Sequence, residues 1–457
     1  MKCVLRITDR HYQTLWSHLF PGDDDEHGAI LRAGLVEHED GIQLVVREVH
    51  PAIDGTDYVA SKIGHRALTP QFIHRHIIKC RDERLVYLAV HNHGSSDRVS
   101  FSRIDMESHE RGYPALRDIA KGMPVGALVF GMDSVEADIW MPDGRRLQLD
   151  HAVVVGPSIK RLHPRPPRSE TRDSATQDRQ VRMFGAAGQT ILADSTVAVV
   201  GVGGIGSLVS EYLARLGVGR LILVDPDIID DTNLSRVVGA TLADVRAKTP
   251  KVQIAKRVAL DAFPRPEIVT IEDDVARDSV ARRLRACDFV FLAADSMRSR
   301  LVFNALVHQY LIPGVQLGAK VQGSRGDDAF DAWSAVRAVR PGSGCLWCNQ
   351  LIDRQLLAQE AKSDEERRAQ AYGTSEPNPS VITLNAVAAA HGVNDFLFDY
   401  LGLRAQRDAV EYRHIHSVVE GRTRVEPRLG AACPECGCGE FGRFGMGDSR
   451  SLPTFDG

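Results

Sequence analysis

At 457 residues the chain has room for two or three domains. Hydrophobic residues make up 43% and charged residues 25%, the balance of a folded chain rather than a disordered one, and a net charge of −4 argues against nucleic acid or an anionic membrane as partner. The start, MKCVLRITDRHYQ, is broken by charges and no run of about 18 apolar residues occurs, which predicts neither a signal peptide nor a membrane span and places the protein in the cytoplasm, where its eight cysteines read as metal ligands or free thiols.

Helical periodicity near 9–19, 69–79 and 102–121 alternates with strand-like runs at 29–36 (AILRAGLV), 42–48 (IQLVVRE), 85–90 (LVYLAV) and 125–131 (VGALVFG), predicting an α/β layered domain over 1–155. The third run leads into HNHGSSDRVSFSRID (91–105). Residues i and i+2 of a strand share a face, so His91 and His93 offer two imidazoles side by side, a pair suited to zinc, with Asp105 the nearest third ligand. Three protein ligands leave a fourth position for water, as catalytic zinc requires. The plainer reading is a loop followed by a helix, because Ser102-x-x-Asp105 is also a capping box.

The combination resembles the JAMM metalloisopeptidases (JAB/MPN domains), whose pattern is a glutamate, H-x-H, seven residues and S-x-x-D. Here eight residues separate His93 from Ser102, and Gly94 stands where the family has proline. The resemblance implies zinc on His91, His93 and Asp105. It makes Glu26, in DDEHGAILRAG, the base that takes a proton from the attacking water and passes it to the leaving amine, and Ser102 a donor to the oxyanion. Glu37, Glu39 and Glu48 are worse placed. The alternative is an inactive domain of this fold that only binds a carrier protein.

Residues 156–180, GPSIKRLHPRPPRSETRDSATQDRQ, are rich in Pro, Arg, Ser and Thr and read as an exposed linker. The predicted boundaries are a domain at 1–155, a linker at 156–176, a second domain at 177–440 and a loosely ordered tail at 441–457.

The second domain opens with TVAVVG (196–201), a glycine loop, a helix at 207–216 and LILVD (221–225); VQIAKRVAL, EIVTIE, DFVFLAAD and IPGVQLG continue the alternation, predicting a Rossmann-like doubly wound fold. In GVGGIG, Gly201, Gly203, Gly204 and Gly206 let the backbone approach a phosphate at a helix N-terminus, and Asp225 stands where an acid bonds a ribose hydroxyl. Alone, this motif serves a nicotinamide dehydrogenase equally well.

Four further segments accompany it: DRQVRMFGAAGQ (178–189), DPDIIDDTNLSR (225–236), Thr249-Pro250-Lys251 and AADSMRSR (293–300). Together they resemble the E1-like ThiF/MoeB adenylating enzymes. The resemblance implies the ATP ribose on Asp225, with Asp227 completing a D-x-D pair; phosphates gripped by Asn233, Arg236 and Lys251; Mg²⁺ on Asp295; and Arg179 reaching the nucleotide of a neighbouring subunit in a homodimer. The implied reaction is attack by the C-terminal carboxylate of a ubiquitin-like or sulfur-carrier protein on the α-phosphorus of ATP, with a small peptide as alternative substrate. A chain with both domains would trim or deconjugate a carrier and then adenylate its exposed tail.

Cys345-x-x-Cys348 and Cys433-x-x-Cys436 read as a four-thiolate structural zinc site, with Cys438 a spare and Cys287 buried at a strand start. No cysteine lies between 348 and 433, where thioester-forming relatives carry their acceptor thiol, so the acyl-adenylate is expected to pass to an E2-like protein or a sulfur donor. Residues 361–378 read as a mobile loop near the nucleotide.

Overall fold

The computed structural model describes residues 2–59, 66–94, 97–167, 175–263, 266–323, 330–360, 380–404, 411–430 and 432–455. They form two compact units, one of Met1–Arg168, His308–Leu311 and Gly437–Ser451, the other of Ser169–Val307, Ile312–Cys436 and Leu452–Gly457. Among the described residues no helix is long and apolar enough to cross a membrane.

The first unit is built on a nine-stranded mixed sheet of β1 (Lys2–Thr8), β2 (Gly28–His38), β3 (Gly41–Pro51), β4 (Val86–Asn92), β5 (Val125–Phe130), β6 (Val135–Trp140), β7 (Arg146–Gln148), β8 (His151–Val155) and β9 (Lys160–Leu162), in the order β7-β6-β5-β4-β2-β3-β1-β8-β9. Helices α1 (Asp9–Leu19), α2 (Pro70–Glu83) and α3 (Arg103–Ala120) accompany it, each opened by a hydroxyl N-cap, Thr8, Thr69 and Ser102 respectively. Leu5, Leu31, Leu44, Leu88 and Ile139 are fully or almost fully buried in its core.

The helices and the four strands expected from periodicity are present within a few residues, whereas β1 and β6–β9 are additions. β1 was masked by Arg6, which is 2% exposed, and β6 by a buried Asp138 in VEADIW. β9 lies inside the stretch read as linker, because Ile159 and Leu162 supply just enough apolar surface to hold it against β8. Gly437–Ser451, which includes residues 441–451 of the stretch read as a tail, belongs to the first unit. A bulge between Arg32 and Ala33 interrupts the β2–β3 register, and the buried Arg47 guanidinium donates to the carbonyls of Cys438 and Gly439, each at 3.0 Å, and to those of Gly442 and Phe444.

The second unit contains β10 (Thr196–Val200), β11 (Arg220–Val224), β12 (Glu267–Ile271), β13 (Phe289–Leu292), β14 (Gly314–Gln322), β15 (Asp331–Val339), β16 (Tyr412–His416) and β17 (Gly421–Val425), in the order β12-β11-β10-β13-β14-β15-β16-β17. The first five are parallel and the last three antiparallel. TVAVV, RLILV and FVFL are continuous apolar runs because parallel strands are covered on both faces. The strand order reverses between β10 and β13, which opens a crevice at their carboxyl ends, as in a Rossmann-like fold. Helix α4 (Asp178–Ala193) precedes β10, and α5 (Gly204–Leu216) follows it, three residues earlier than periodicity placed it because the glycine loop already turns helically.

Candidate functional site

In the second unit, the crevice gathers the motif residues at one sheet edge. Gly201 has φ +84°, and a side chain there would strike the Ala294 backbone at 2.6 Å; one on Gly206 would meet the Gly201 carbonyl at 1.8 Å. Positions 201 and 206 are therefore closed to any residue but glycine, and the loop delivers backbone N–H groups to the start of α5, the arrangement that receives phosphate. Asp225, 5% exposed, directly follows β11 and accepts hydrogen bonds from Val202 N (2.7 Å) and Asp227 N (2.9 Å). Burial raises its carboxyl pKa against those bonds and the pull of Lys251. Each oxygen keeps a lone pair for a ribose hydroxyl.

Lys251 opens the helix Lys251–Ala262 and pairs through Nζ with Asp227 (2.7 Å). Arg236 donates to the Thr232 carbonyl (2.6 Å), and its side chain passes 3.4 Å from the space a Cβ on Gly204 would take. Asn233 is buried and spends its amide N–H on Asp230 (2.7 Å) and Thr232, which leaves its Oδ1 without a partner. An orphaned acceptor fits a hydroxyl donor better than a phosphate oxygen. Gly203 is open, with nothing within 4 Å of a Cβ there. Asp295 is exposed three residues beyond β13, at the same edge. Arg179 is exposed on α4 and makes no hydrogen bond or ion pair with the other candidates among the described residues. The loop expected at 361–378 lies outside the described residues.

Two contributors had no sequence signal. Asn385, on the helix Ile382–Tyr400, places Nδ2 2.3 Å from a Cβ built on Gly204. The Glu360 carboxylate accepts from the N–H groups of Met297 and Arg298, each at 2.9 Å, and so caps the helix that begins two residues after Asp295.

The four cysteines converge in the same unit. Sγ of Cys345 lies 3.8 Å from that of Cys433, and Sγ of Cys348 lies 3.7 Å from that of Cys436. Zinc–sulfur bonds of about 2.3 Å in a tetrahedron require edges of about 3.8 Å, so the donor set fits structural zinc. Hydrogen bonding by Cys436, against the cost of burial, and the Cys348 N–H (3.3 Å) pull the Cys345 thiol down toward its thiolate. Cys287 is buried and Cys438 exposed, outside the cluster.

The first unit carries a second convergence. Register pairs Gly28 of β2 with His91 of β4, which brings Glu26, two residues before Gly28, beside His93, two residues after His91. Nε2 of His91 lies 3.2 Å from Nε2 of His93, and each is 3.6 Å from Asp105 Oδ2. Zinc–nitrogen bonds of about 2.0–2.1 Å predict edges of about 3.3–3.4 Å, so these three also fit zinc. The extra residue before Ser102 thus leaves Asp105 in ligand range. Nδ1–H of His93 donates to the Ser100 carbonyl (3.1 Å), which fixes the tautomer that presents Nε2.

Glu26 Oε1 is 3.8 Å from His93 Nε2 and stands outside the three-residue cluster. Its chain is clamped by neighbours: His27 N donates to Asn92 Oδ1 (2.6 Å), Gly28 N to the Tyr58 hydroxyl (2.7 Å), and His18 Nε2 to the Gly28 carbonyl (2.9 Å). Ser102 forms the capping box, its backbone N–H and hydroxyl both donating to Asp105 Oδ2 at 2.7 Å. In this arrangement the hydroxyl proton is directed to the Asp105 carboxylate. Burial works to raise the Asp105 carboxyl, but bonds from His91 and Ser102 outweigh it and hold the group well below the usual carboxylate range.

Over residues 177–424, more than half of its length, the sequence matches the ThiF family. The chain belongs to the ThiF family. Parts of it are similar to the tRNA threonylcarbamoyladenosine dehydratase of Bacillus subtilis (strain 168), 46% identical over 89 residues that make up 20% of this chain and 34% of that one. The SAMP-activating enzyme E1 of Haloferax volcanii is 35% identical over 120 residues, 26% of this chain and 44% of that one. The sulfur carrier protein ThiS adenylyltransferase of Escherichia coli (strain K12) is 30% identical over 136 residues, 29% of this chain and 53% of that one. The chain thus spans between about a third and about half of the length of these relatives.

Proposed function

We propose that this ThiF-family chain uses ATP and Mg²⁺ to adenylate the C-terminal carboxylate of a small carrier polypeptide. A carboxylate oxygen bonds to the α-phosphorus, the α–β bridging bond breaks, and pyrophosphate leaves. The observation that carries the reading is the meeting of the Gly201–Gly206 loop, Asp225 and Asp295 at one end of the parallel sheet, where the strand order reverses. Asp225 holds the ribose, Arg236 and Lys251 answer the charge that builds on the phosphates, and Asp295 holds Mg²⁺. The similarity of parts of the chain to enzymes named for a carrier protein and for SAMP supports a carrier as substrate. The reading is tested by ATP–pyrophosphate exchange with purified protein and candidate carriers ending in glycine. Exchange that needs the carrier and disappears in Asp295→Ala supports it; binding of NAD with no exchange overturns it.

The first unit is proposed as a zinc-dependent peptidase or isopeptidase of the JAMM type, acting on the same carrier tail. The supporting observation is the Glu26 carboxylate beside an imidazole of a three-ligand cluster, in a chain held by Asn92 and Tyr58. Zinc, when bound, supplies Lewis acidity and lowers the pKa of water. Glu26 takes the proton of the attacking water and returns it to the leaving amine.

A further inference from the structure

Buried arginines of the second unit carry carboxylates. Arg340, 1% exposed, donates to Asp399 at 2.9 Å, and Arg413 pairs with Asp395. Arg337, half-buried on β15, is held differently. Its Nη1 donates to Gln316 Oε1 on β14 (2.6 Å) and its Nη2 to His414 Nε2 on β16 (3.0 Å), both neutral acceptors. No carboxylate pairs with it among the described residues. Burial and the Arg300 guanidinium push Arg337 down to about 10; burial, Arg337 and His416 push His414 down, which keeps it a neutral acceptor. A partly desolvated guanidinium without an anion is costly, and such groups collect where a ligand supplies the missing charge.

The position says which ligand. Gln316 pairs with Leu292, the last residue of β13, three residues before Asp295. The Asp295 charge in turn acts on Arg300. Arg337 therefore stands on the β14 side of the crevice, whereas Asp225, Arg236 and Lys251 stand on the β11 side. Adenylation must press two anions together, a carboxylate and the α-phosphate. The cations of the β11 side face the nucleotide, so the carboxylate needs its own partner from the other side.

We propose that Arg337, braced by Gln316 and His414, binds the C-terminal carboxylate of the polypeptide that is adenylated. The proposal rests on the adenylation reading above. Two of its five N–H groups hold Gln316 and His414, and three remain for a ligand. When the carboxylate oxygen bonds to phosphorus its charge is lost, so the hold relaxes as the acyl-adenylate forms. Arg337 thus contributes to binding of the acyl substrate and little to the rate of the bound complex.

The test uses the full chain with a non-hydrolysable ATP analogue and a short peptide ending in Gly-Gly, offered as the free acid and as the C-terminal amide. Wild type is expected to bind the free acid at least about tenfold more tightly than the amide. Arg337→Gln is expected to erase that preference while keeping nucleotide affinity within about twofold, and Arg337→Lys to restore part of it. Because the guanidinium is held by two neutral acceptors and no carboxylate, Arg337→Met is expected to melt no lower than wild type. Equal or absent binding of the two peptides by nucleotide-loaded wild type overturns the subsite and leaves the nucleotide reading standing. Loss of nucleotide affinity in Arg337→Gln reassigns the arginine to a phosphate and also overturns it, as does a strongly destabilised Arg337→Met. Failure of wild type to bind the analogue at all overturns the adenylation reading itself.

Discussion

Among the described residues two clusters could hold a metal ion, and they differ in donor type, donor number and burial. The cysteine cluster offers four soft donors, three of them on buried residues, at the spacing of a closed tetrahedron. The cluster of His91, His93 and Asp105 offers three donors, all on half-buried residues, with Glu26 beside the position that remains. Burial and donor number move together for a physical reason. Four thiolates satisfy zinc completely and can be sealed, whereas a site that exchanges water must stay open on one side.

The sharpest way to break that comparison is to remove one ligand from each cluster. Cys433→Ser is expected to cost on the order of 5 kcal/mol or more of second-unit stability, read by thermal melting together with zinc content, because metal binding there is folding energy. Glu26→Gln is expected to lower cleavage of a carrier fusion by about 10²–10⁴-fold while zinc content stays the same. In the second unit, Asp295→Ala is expected to reduce pyrophosphate exchange by on the order of 10²-fold without unfolding the chain, since Asp295 is exposed.

The first unit has its own means of staying folded. Asp138 accepts from Trp140 Nε1 (3.0 Å) and Arg146 Nη2 (2.6 Å) and bonds His109 Nδ1 (2.9 Å); burial opposes ionisation, yet these bonds bring its carboxyl down from 3.8 to about 2. A depressed carboxylate stabilises fully above its unfolded pKa and loses that contribution as pH falls through the folded value. Roughly 2 kcal/mol should therefore vanish between about pH 4 and pH 2, and Asp138→Asn should remove the same amount at neutral pH and flatten the acid limb of the melting curve. The smallest effect on stability is expected from His91→Ala, below about 1 kcal/mol, although zinc should fall from two ions per chain to one. If His91→Ala destabilises as much as Cys433→Ser, the two clusters are not different in kind.

The sequence by itself determined the parts that depend on spacing along the chain. HxH at a strand end, two C-x-x-C pairs, the glycine loop and the apolar runs of the parallel strands are all local, because strand and helix periods decide them without reference to distant residues. Only the tertiary structure decided the rest. Strands β1, β6 and β9 were hidden because charged residues in or beside them break the apolar pattern: Arg6 and Asp138 are buried in place, and β9 sits in an Arg- and Pro-rich stretch. The contact of the Ser102 hydroxyl with the Asp105 carboxylate is also a product of the folded helix start. Residues 437–440 of the expected second domain and 441–451 of the expected tail belong to the first unit, where the buried Arg47 guanidinium takes up carbonyls from both stretches. Asn385 and Arg337 had no motif at all. They come to the carboxyl end of the parallel strands from elements far along the chain, and which side chains meet there is a property of packing, not of order in sequence.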